Sequence, residues 1–564
     1  MSMTRGAAAV GVLGAALGAG LAAPSVAAAC GGFFCDNAQP VTQAAERIVF
    51  GVEDGAIEMH VQIDYAGPPT AFGWLLPVPP DVDVDLSDQH LFDELERLSR
   101  PLYQVRTRFA ACPGGEGEGE GEGEGEGEGE GEGEGEVDVL ERQPLGAFDQ
   151  AILRADNVDV LLQWLDDNGY QRPVGAEAIL ADYVQGSVFV ALKLLPDRQI
   201  DQITPIRLRF SGTTPAIPLR PTAVAAEPDM GVLVYVLGDA RAVPLNYLHV
   251  QLNDAVFDWF FQDNRADVTA AAVDEAGGRA FATEYAGPRP ADYRGKRLTV
   301  DLADVEAVET LADVLALWRG LGEPAVFPAV IAALTPPPGV TAAQVFACLE
   351  CFDPRGIAVD GMMLAQQIRD EVLPRWQAMN ALVARHGYLT RLYTAISAEE
   401  MTVDPMFGLN RDLPPVDQVW QGTAFIGCDS EVTFETGSGA RYRANGRMNP
   451  GAIRRQAGLT VRGEGPAAAV IEQLFAAGPP EVRQDNRDAI AAAFTAPLPA
   501  GFGAEGEGEG EGEGEGETDR DGGMSGGPFE DGMGDGCACD AGEGGPTGAL
   551  LALLALVGVI RRRR

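Results

Sequence analysis

The sequence predicts an α+β fold, with mainly antiparallel strands in the N-terminal half, a more helical second half, disordered Glu-Gly segments and a short C-terminal membrane helix. Segments that alternate apolar and polar residues, as half-buried strands do, are frequent before residue 300. Helical periodicity dominates residues 302–318 and 361–393. Because strands and helices do not alternate regularly, a doubly wound parallel sheet is not expected.

The first predicted strands form a hairpin. Residues 47–50 and 57–65 have strand patterns, and the sequence at 53–55 is typical of a turn. The apolar segment 72–79 contains prolines, which cannot donate a backbone hydrogen bond, so we expect it at a sheet edge. Further strands are predicted at 186–195, 203–210 and 231–237.

The first predicted helix follows Ser87 and Asp88, whose side chains can cap it. Its apolar residues recur on one face as far as Leu98. Residues 156–164 and 176–183 also have helical patterns.

The chain divides into segments of different composition, and its globular part is too long for one typical core. The predicted segments are 1–29, a signal peptide; 30–112, the β-rich start of an ectodomain; 113–136, a disordered Glu-Gly insertion; 137–300, the α+β remainder of the first ectodomain part; 301–500, a helix-rich ectodomain part; 501–547, a disordered acidic and Gly-rich spacer with a Cys motif; and 548–564, a short transmembrane segment with an Arg tail.

The charge balance excludes a nucleic-acid partner bound through a basic surface. The 564 residues include 84 acidic and 41 basic side chains, a formal net charge of −43, whereas phosphate recognition needs clustered Lys and Arg. Two Glu-Gly runs, 116–136 and 505–517, hold 18 of the acidic residues. Gly and charge at alternate positions keep such runs solvated, so much of the charge does not belong to a folded surface.

The N-terminus has the pattern of a secretory signal peptide. Arg5 provides the positive region, an apolar stretch follows at 6–23, and small residues lead to a cleavage site after Ala29. Cys30 follows directly, as a lipid-modified cysteine would, but Ala27 stands where a lipoprotein signal usually has Leu. Simple cleavage is therefore favoured, and lipoprotein processing stays an alternative.

The C-terminus combines a Cys motif, an apolar stretch and an arginine cluster. The apolar run 548–560 would span about 20 Å as a helix, short of the roughly 30 Å hydrocarbon core, so a plain permanent anchor is disfavoured. The motif contains Cys537 and Cys539, and the cluster consists of Arg561, Arg562, Arg563 and Arg564. This order resembles the MYXO-CTERM sorting signal of myxobacteria and their relatives. The resemblance implies processing by a sorting protease near one of the two cysteines, with the membrane as partner; a simple tail anchor is the alternative.

Several separated motifs resemble a bacterial domain-of-unknown-function family, number 2330. They are CGGFFC at 30–35, AERIVF at 45–50, FGWLLPVP at 72–79, YLTRLYT at 388–394, and Met401 with DPMF at 404–407. The resemblance implies a secreted or surface domain with no established activity. The Glu-Gly insertion departs from the family pattern and indicates a loop that tolerates extra length.

Six cysteines precede the tail, an even number that suits disulfides in an exported protein. They are Cys30, Cys35, Cys112, Cys348, Cys351 and Cys428. Six cysteines can pair in 15 ways, and the sequence does not choose among them. The pair Cys30–Cys35 is favoured because it closes a short loop. Cys348 and Cys351 form a C-x-x-C, for which a structural disulfide is favoured and a redox site is an alternative. A zinc site is a further alternative, disfavoured because no second ligand pair is near in sequence.

Familiar catalytic and metal-binding patterns are lacking in the sequence. It has no H-E-x-x-H, no G-x-S-x-G and no phosphate loop, so no catalytic, cofactor-binding or metal-ligating residue and no cofactor is predicted. His60 is expected on the solvent side of its strand; His90, His249 and His386 receive no role. Arg391 is expected to form a structural ion pair rather than an anion site.

Three aspartates at alternate positions begin like a calcium loop. Asp81, Asp83 and Asp85 occupy positions 1, 3 and 5, but Leu86 and Phe92 stand where the loop needs Gly and Glu. A solvated strand edge or turn is the favoured interpretation.

Two functional hypotheses follow. The first is an exported protein anchored at the cell surface or outer membrane, with a structural, adhesive or ligand-binding role and a ligand that the sequence does not identify. The second is an extracytoplasmic enzyme that uses Cys348 and Cys351 for thiol redox chemistry, or a hydrolase built on distant carboxylates.

Overall fold

The computed structural model of the protein describes residues 42–66, 72–110, 138–170, 175–195, 203–224, 226–259, 264–322, 325–444 and 464–502. The predicted signal peptide with Ala29, the cysteines at 30, 35 and 112, both Glu-Gly runs and the whole predicted sorting signal lie outside the described residues.

A ten-stranded mixed sheet forms the centre of the molecule. Its order is β22 (Glu481–Asp485), β21 (Ala468–Gln473), β12 (Leu248–Leu252), β13 (Ala280–Pro288), β16 (Tyr388–Ile396), β10 (Ala226–Gly238), β1 (Thr42–Glu53), β2 (Ala56–Ala66), β9 (Ile206–Ser211) and β4 (Asp83–Leu86). The pairs β1–β10 and β12–β13 are parallel, and the other neighbours are antiparallel.

Smaller sheets accompany the large one. The first has the order β3 (Gly73–Val78), β8 (Val188–Leu194), β7 (Phe148–Arg154) and β6 (Asp138–Leu145). The second has the order β20 (Arg441–Arg443), β19 (Val432–Thr436), β18 (Val419–Ile426) and β5 (Leu102–Phe109). Two-stranded pairs join β11 (Arg241–Pro244) to β17 (Phe407–Asn410) and β14 (Leu334–Thr335) to β15 (Ala358–Val359).

Half of the α-helices in the described ranges lie between residues 302 and 385. The helices are α1 (Gln89–Ser99), α2 (Val158–Asp167), α3 (Ala176–Val184), α4 (Leu219–Thr222), α5 (Arg265–Glu275), α6 (Leu302–Glu306), α7 (Leu311–Leu321), α8 (Phe327–Ala333), α9 (Ala342–Ala347), α10 (Gly361–Gln367), α11 (Leu373–Arg385) and α12 (Arg487–Ala493). A π-helical turn, Ile368–Val372, joins α10 to α11. No helix in the described ranges is both long and apolar enough to cross a membrane.

The alternation of the central strands distributes their side chains between two cores. Along β1, Ile48 and Phe50 pack with the strands of the first small sheet, whereas Val49 packs with the helices between 302 and 385. This is the period of two expected for a strand buried on both faces. A third core joins β12, β13 and β21 to α5, α12 and the second small sheet. The α+β class is thereby confirmed.

The predicted elements of the N-terminal half are confirmed. β1 and β2 form the hairpin, with Gly55 at φ 81° in the turn, a conformation that favours glycine. β3 lies at the edge of its sheet. Asp88 caps α1, since its side chain accepts from the backbone N–H of His90 at 2.9 Å.

The expectation of helix as far as residue 393 was wrong at its end. α11 stops at Arg385, and Tyr388–Ile396 forms the strand β16 between β10 and β13. The buried residues Leu389, Leu392 and Ile396 recur at helical spacing by coincidence, because a strand buried on both faces has no polar side to reveal its period. The strands β17 to β22 also lie within the segment expected to be rich in helix.

Candidate functional site

A cleft of about 1,020 Å³ lies where the large sheet meets the second small sheet. Its lining residues come from β12, β13 and β21 of the large sheet, from β5 and β18 of the second small sheet, and from α12. We call it the His249 cleft after a histidine of β12 that lines it. Its volume is at the upper end of the range of small-molecule sites.

Three side chains on adjacent strands of the cleft form a hydrogen-bonded series. His249 on β12 is paired directly with Glu472 on β21, and their Nδ1 and Oε1 atoms are 2.9 Å apart. The other ring nitrogen, Nε2, is 2.9 Å from Oγ1 of Thr283 on β13. His249 and Glu472 are 3% and 4% exposed, while Thr283 is half-buried. The strand register brings together residues that are distant in sequence.

The hydrogen-bond partners assign the protons of this series. The backbone N–H of Thr283 donates to Nε2 of His249 at 3.3 Å, so Nε2 is an acceptor and Nδ1 donates to Glu472. The Thr283 hydroxyl then also donates to Nε2. Burial lowers the pKa of His249, although Glu472 opposes this effect, and the ring is neutral at neutral pH.

Glu472 stays ionised in this arrangement. Burial alone would raise its pKa, but the hydrogen bond from His249 and a second one from Gln251 (3.2 Å), together with the charge of Arg241, hold the pKa below its ordinary value. A carboxylate therefore fixes the orientation of the imidazole.

Arg241 of β11 brings a positive charge to the series. Its Nη2 donates to Thr283 Oγ1 at 3.3 Å, and its Nη1 donates to the carbonyl oxygen of Pro414 at 3.2 Å. The side chain is 7% exposed, and its buried Nε has no hydrogen-bond partner among the described residues. Burial lowers the pKa of Arg241, with Glu472 acting against this from a distance. Within the described ranges, no carboxylate lies within ion-pair distance of Arg241.

Aromatic rings also line the cleft. Tyr103 of β5 stacks on Trp420 of β18 with ring centroids 6.4 Å apart, and Phe257 contacts both rings edge-on at 5.6 and 5.3 Å. Tyr103 and Trp420 are half-buried, so part of their surface is open to the cleft. Such rings can stack against a planar apolar group.

An ion-pair network adjoins the cleft and includes Arg391. Its Nε donates to Glu284 at 2.7 Å, and its Nη1 donates to Glu96 at 2.6 Å. Glu284 is also ion-paired with Arg265, and Tyr235 donates to Glu96 at 2.8 Å. The expectation of a structural ion pair at Arg391 is therefore confirmed.

The expectation for His60 was wrong, because this histidine is buried with 1% of its surface exposed. Its Nδ1 lies 2.6 Å from Ser87 Oγ, and its Nε2 lies 3.3 Å from Glu58 Oε1. Arg385 and Arg207 also approach Glu58, at 2.9 and 3.9 Å. Since Ser87 is only 3% exposed, this cluster holds β2 against the chain before α1.

The other two histidines, His90 and His386, lie outside the lining of the His249 cleft. His90 lies 2.5 Å from the carbonyl oxygen of Arg294. His386 borders a second cleft of about 1,000 Å³, whose arginines have carboxylate partners: Arg385 pairs with Glu53 at 2.6 Å, and Arg411 pairs with Asp239.

The three aspartates of the incomplete calcium loop lie along the edge strand β4 and the turn before it. Asp81 accepts from the backbone N–H of Ser211 at 2.9 Å, and Asp83 and Asp85 lie near Arg207 at 3.8 and 3.6 Å. In the described part of the chain, no group of three or more His, Cys, Asp or Glu side chains could hold a metal ion.

The structure pairs Cys348 with Cys351 in a disulfide, with their Cα atoms 5.3 Å apart. Cys348 caps the carboxyl end of α9, where the partial negative charge of the helix disfavours a thiolate. Cys428 is disulfide-bonded as well.

Sequence reasoning missed the residues of the His249 cleft. Glu472 lies 223 positions from His249, and Thr283 lies 34 positions away, so no local spacing links them. The pairing depends on β12 lying between β21 and β13, an order that does not follow the sequence. No strand is predicted around His249 either, so nothing in the sequence singled out this residue.

Comparison with known proteins places the chain in a bacterial family. No curated protein and no solved structure matches it. The model of a family described as "Uncharacterized protein conserved in bacteria (DUF2330)" matches residues 24–308, half of the chain, including β12 and β13. The chain therefore belongs to the DUF2330 family.

Proposed function

We propose that this protein is exported, held at the cell surface or outer membrane, and binds a small molecule with an aromatic part and an anionic group in the His249 cleft. One observation carries the binding proposal: a buried arginine without an ion-pair partner among the described residues lines a large cleft that aromatic rings also line.

Arg241 favours an anionic ligand. A buried guanidinium costs several kcal/mol to desolvate unless charge and hydrogen bonds compensate it. In the described structure, Nη1 and Nη2 of Arg241 donate to neutral oxygens, and Nε has no hydrogen-bond partner. The negative charge of Glu472 acts on Arg241 only at longer range. A carboxylate would supply the missing charge and accept two hydrogen bonds.

Tyr103 and Trp420 favour an aromatic part in the same ligand. Their rings offer stacking surface, and small-molecule sites are lined predominantly by hydrophobic and aromatic side chains. A ligand that joins an aromatic ring to a carboxylate would contact both the arginine and the aromatic rings of the lining.

Sequence features at both ends support export and anchoring. The pattern from Arg5 to Ala29 is that of a cleavable signal, and the Cys motif, apolar run and arginine cluster at the C-terminus resemble a sorting signal. The disulfide between Cys348 and Cys351 agrees with an oxidising compartment.

A titration of the full chain with 2-naphthoate tests the binding proposal. Isothermal titration calorimetry should detect one site per chain, and Arg241→Gln or Trp420→Ala should weaken binding at least about tenfold, the loss of one good polar or aromatic contact. Arg209→Gln is the matched control, because Arg209 is an exposed arginine outside the lining of the cleft. Equal affinity in Arg241→Gln and the control would overturn the proposal.

Mass spectrometry of the mature protein from the cell envelope tests export and anchoring. We expect an N-terminus at Cys30 and a C-terminus or attached group near Cys537 or Cys539. An intact chain beginning at Met1 and recovered from the cytosol would contradict this part of the proposal.

A further inference from the structure

Three hydrogen bonds of the His249 cleft form a series that runs in one direction. Arg241 Nη2 donates to Thr283 Oγ1, the Thr283 hydroxyl donates to His249 Nε2, and His249 Nδ1–H donates to Glu472. The positive charge of Arg241 favours the ionised hydroxyl oxygen, and the negative charge of Glu472 favours the imidazole that has accepted the proton. This is the order of groups that activates a hydroxyl nucleophile.

We infer that Thr283 is a base-activated nucleophile that cleaves esters of aromatic carboxylic acids, with His249 as general base and Glu472 as a positioning residue. The inference rests on the proposed ligand site, because the ester's aromatic acid part would occupy the position of the bound carboxylate ligand. The product of the reaction is the same class of anion that Arg241 attracts.

A comparison within the molecule separates this role from simple packing. His60 also lies between a hydroxyl and a glutamate, but its Ser87 partner is 3% exposed and cannot meet a substrate. Thr283 is half-buried and lines a cleft of about 1,020 Å³. A histidine that only filled the core would not need an accessible hydroxyl as its second partner.

The reaction balances without an external cofactor. Thr283 Oγ1 bonds to the ester carbonyl carbon while its proton moves to His249 Nε2, and the carbonyl π bond becomes an oxyanion next to the Arg241 guanidinium. The carbonyl re-forms as the bond to the alcohol oxygen breaks, and the leaving oxygen takes the proton from Nε2. Water then attacks the acyl-threonine by the same steps, giving back the Thr283 hydroxyl and releasing the carboxylic acid.

The test uses 4-nitrophenyl benzoate with the full chain. We expect release of 4-nitrophenol and, after acid quenching, a benzoyl group on the peptide that contains Thr283. Thr283→Val should abolish this adduct, Thr283→Ser should keep it, and His249→Gln should slow its formation by about 100-fold, the usual contribution of a general base. Thr214→Val, an exposed threonine outside the cleft, is the matched control.

The choice of valine and a stability measurement show whether a loss of activity results from misfolding. Valine has the shape of threonine, and the thermal unfolding temperature of each variant shows whether it folds. Turnover by Thr283→Val at the wild-type rate, or a benzoyl adduct on another residue, would overturn the inference. If wild-type protein binds 2-naphthoate but forms no adduct, the nucleophile inference fails and the binding proposal stands; if it does neither, both fail.

Discussion

Buried histidines show how the same residues acquire different roles through their neighbours. His60 and His249 both contact a glutamate and a hydroxyl, and burial lowers the pKa of both rings. The difference lies in what surrounds the pair. Glu58, beside His60, is enclosed by arginines, whereas the arginine at His249 contacts the hydroxyl instead. Residue type alone therefore could not distinguish them.

Glu58 should make the protein sensitive to acid. Burial raises its pKa, but the hydrogen bond from His60 and the charges of Arg207 and Arg385 outweigh burial and lower the pKa from 4.5 to about 2. The native state is stabilised by ionised Glu58 above pH 4.5, and this contribution is lost as the pH falls towards 2. The free energy of unfolding of Glu58→Gln should thus fall below that of wild type at neutral pH, and the gap should close near pH 2.

Urea unfolding at several pH values measures that gap. The exposed turn residue Asp54 provides the control Asp54→Asn, which should follow the wild-type curve. A gap that stays constant from pH 7 to pH 2 would show that the carboxylate of Glu58 does not stabilise the fold.

Asp88 should be one of the costliest single aspartates to remove. One carboxylate oxygen caps α1, and the other accepts from the indole N–H of buried Trp376 at 2.9 Å. Asp88→Ala loses the cap and leaves a buried donor unpaired, which should cost about 3 kcal/mol in the free energy of unfolding. Asp93→Ala, an exposed position on the same helix, should cost about 0.5 kcal/mol or less; equal losses would contradict the account.

Secondary-structure elements were predictable where apolar and polar residues alternate in the sequence, or where a proline or a cap marks an element. The β1–β2 hairpin, the edge strand β3 and the capped helix α1 follow from alternation, proline and Asp88. β16 was not predictable in this way, because a central strand buried on both faces has no alternation to reveal it. Pairing between distant strands, on which the His249 cleft depends, leaves no local trace in the sequence.

The pairing of β5 with β18 indicates a disulfide connectivity. The strands are parallel with Phe109 beside Ile426, and the N–H of Ala110 donates to the Ile426 carbonyl oxygen at 2.9 Å. Ala110 is two residues before Cys112 in the sequence, and Ile426 is two residues before Cys428, which is disulfide-bonded. We therefore predict that a non-reducing peptide map will recover Cys112 linked to Cys428. Recovery of Cys428 linked to Cys30 or Cys35 would contradict the prediction.

On the scale of the whole molecule, the acidic Glu-Gly segment should contribute little to the fold. β5 and β6, which it connects, belong to different small sheets. Halving the segment between Phe109 and Asp138 should change the free energy of unfolding by only about 0.6 kcal/mol, the loop-closure cost of a twofold change in length. Thermal unfolding and 2-naphthoate affinity of the shortened chain measure this; a loss of several kcal/mol would show that the segment packs on the domain.

The central claim is that the His249 cleft binds an aromatic carboxylate. Its most direct test is a crystal structure of the protein with 2-naphthoate. We predict the carboxylate within hydrogen-bond distance of Arg241 and the rings against Tyr103 and Trp420. A well-ordered naphthoate bound only outside the cleft, with the cleft occupied by water, would contradict the account.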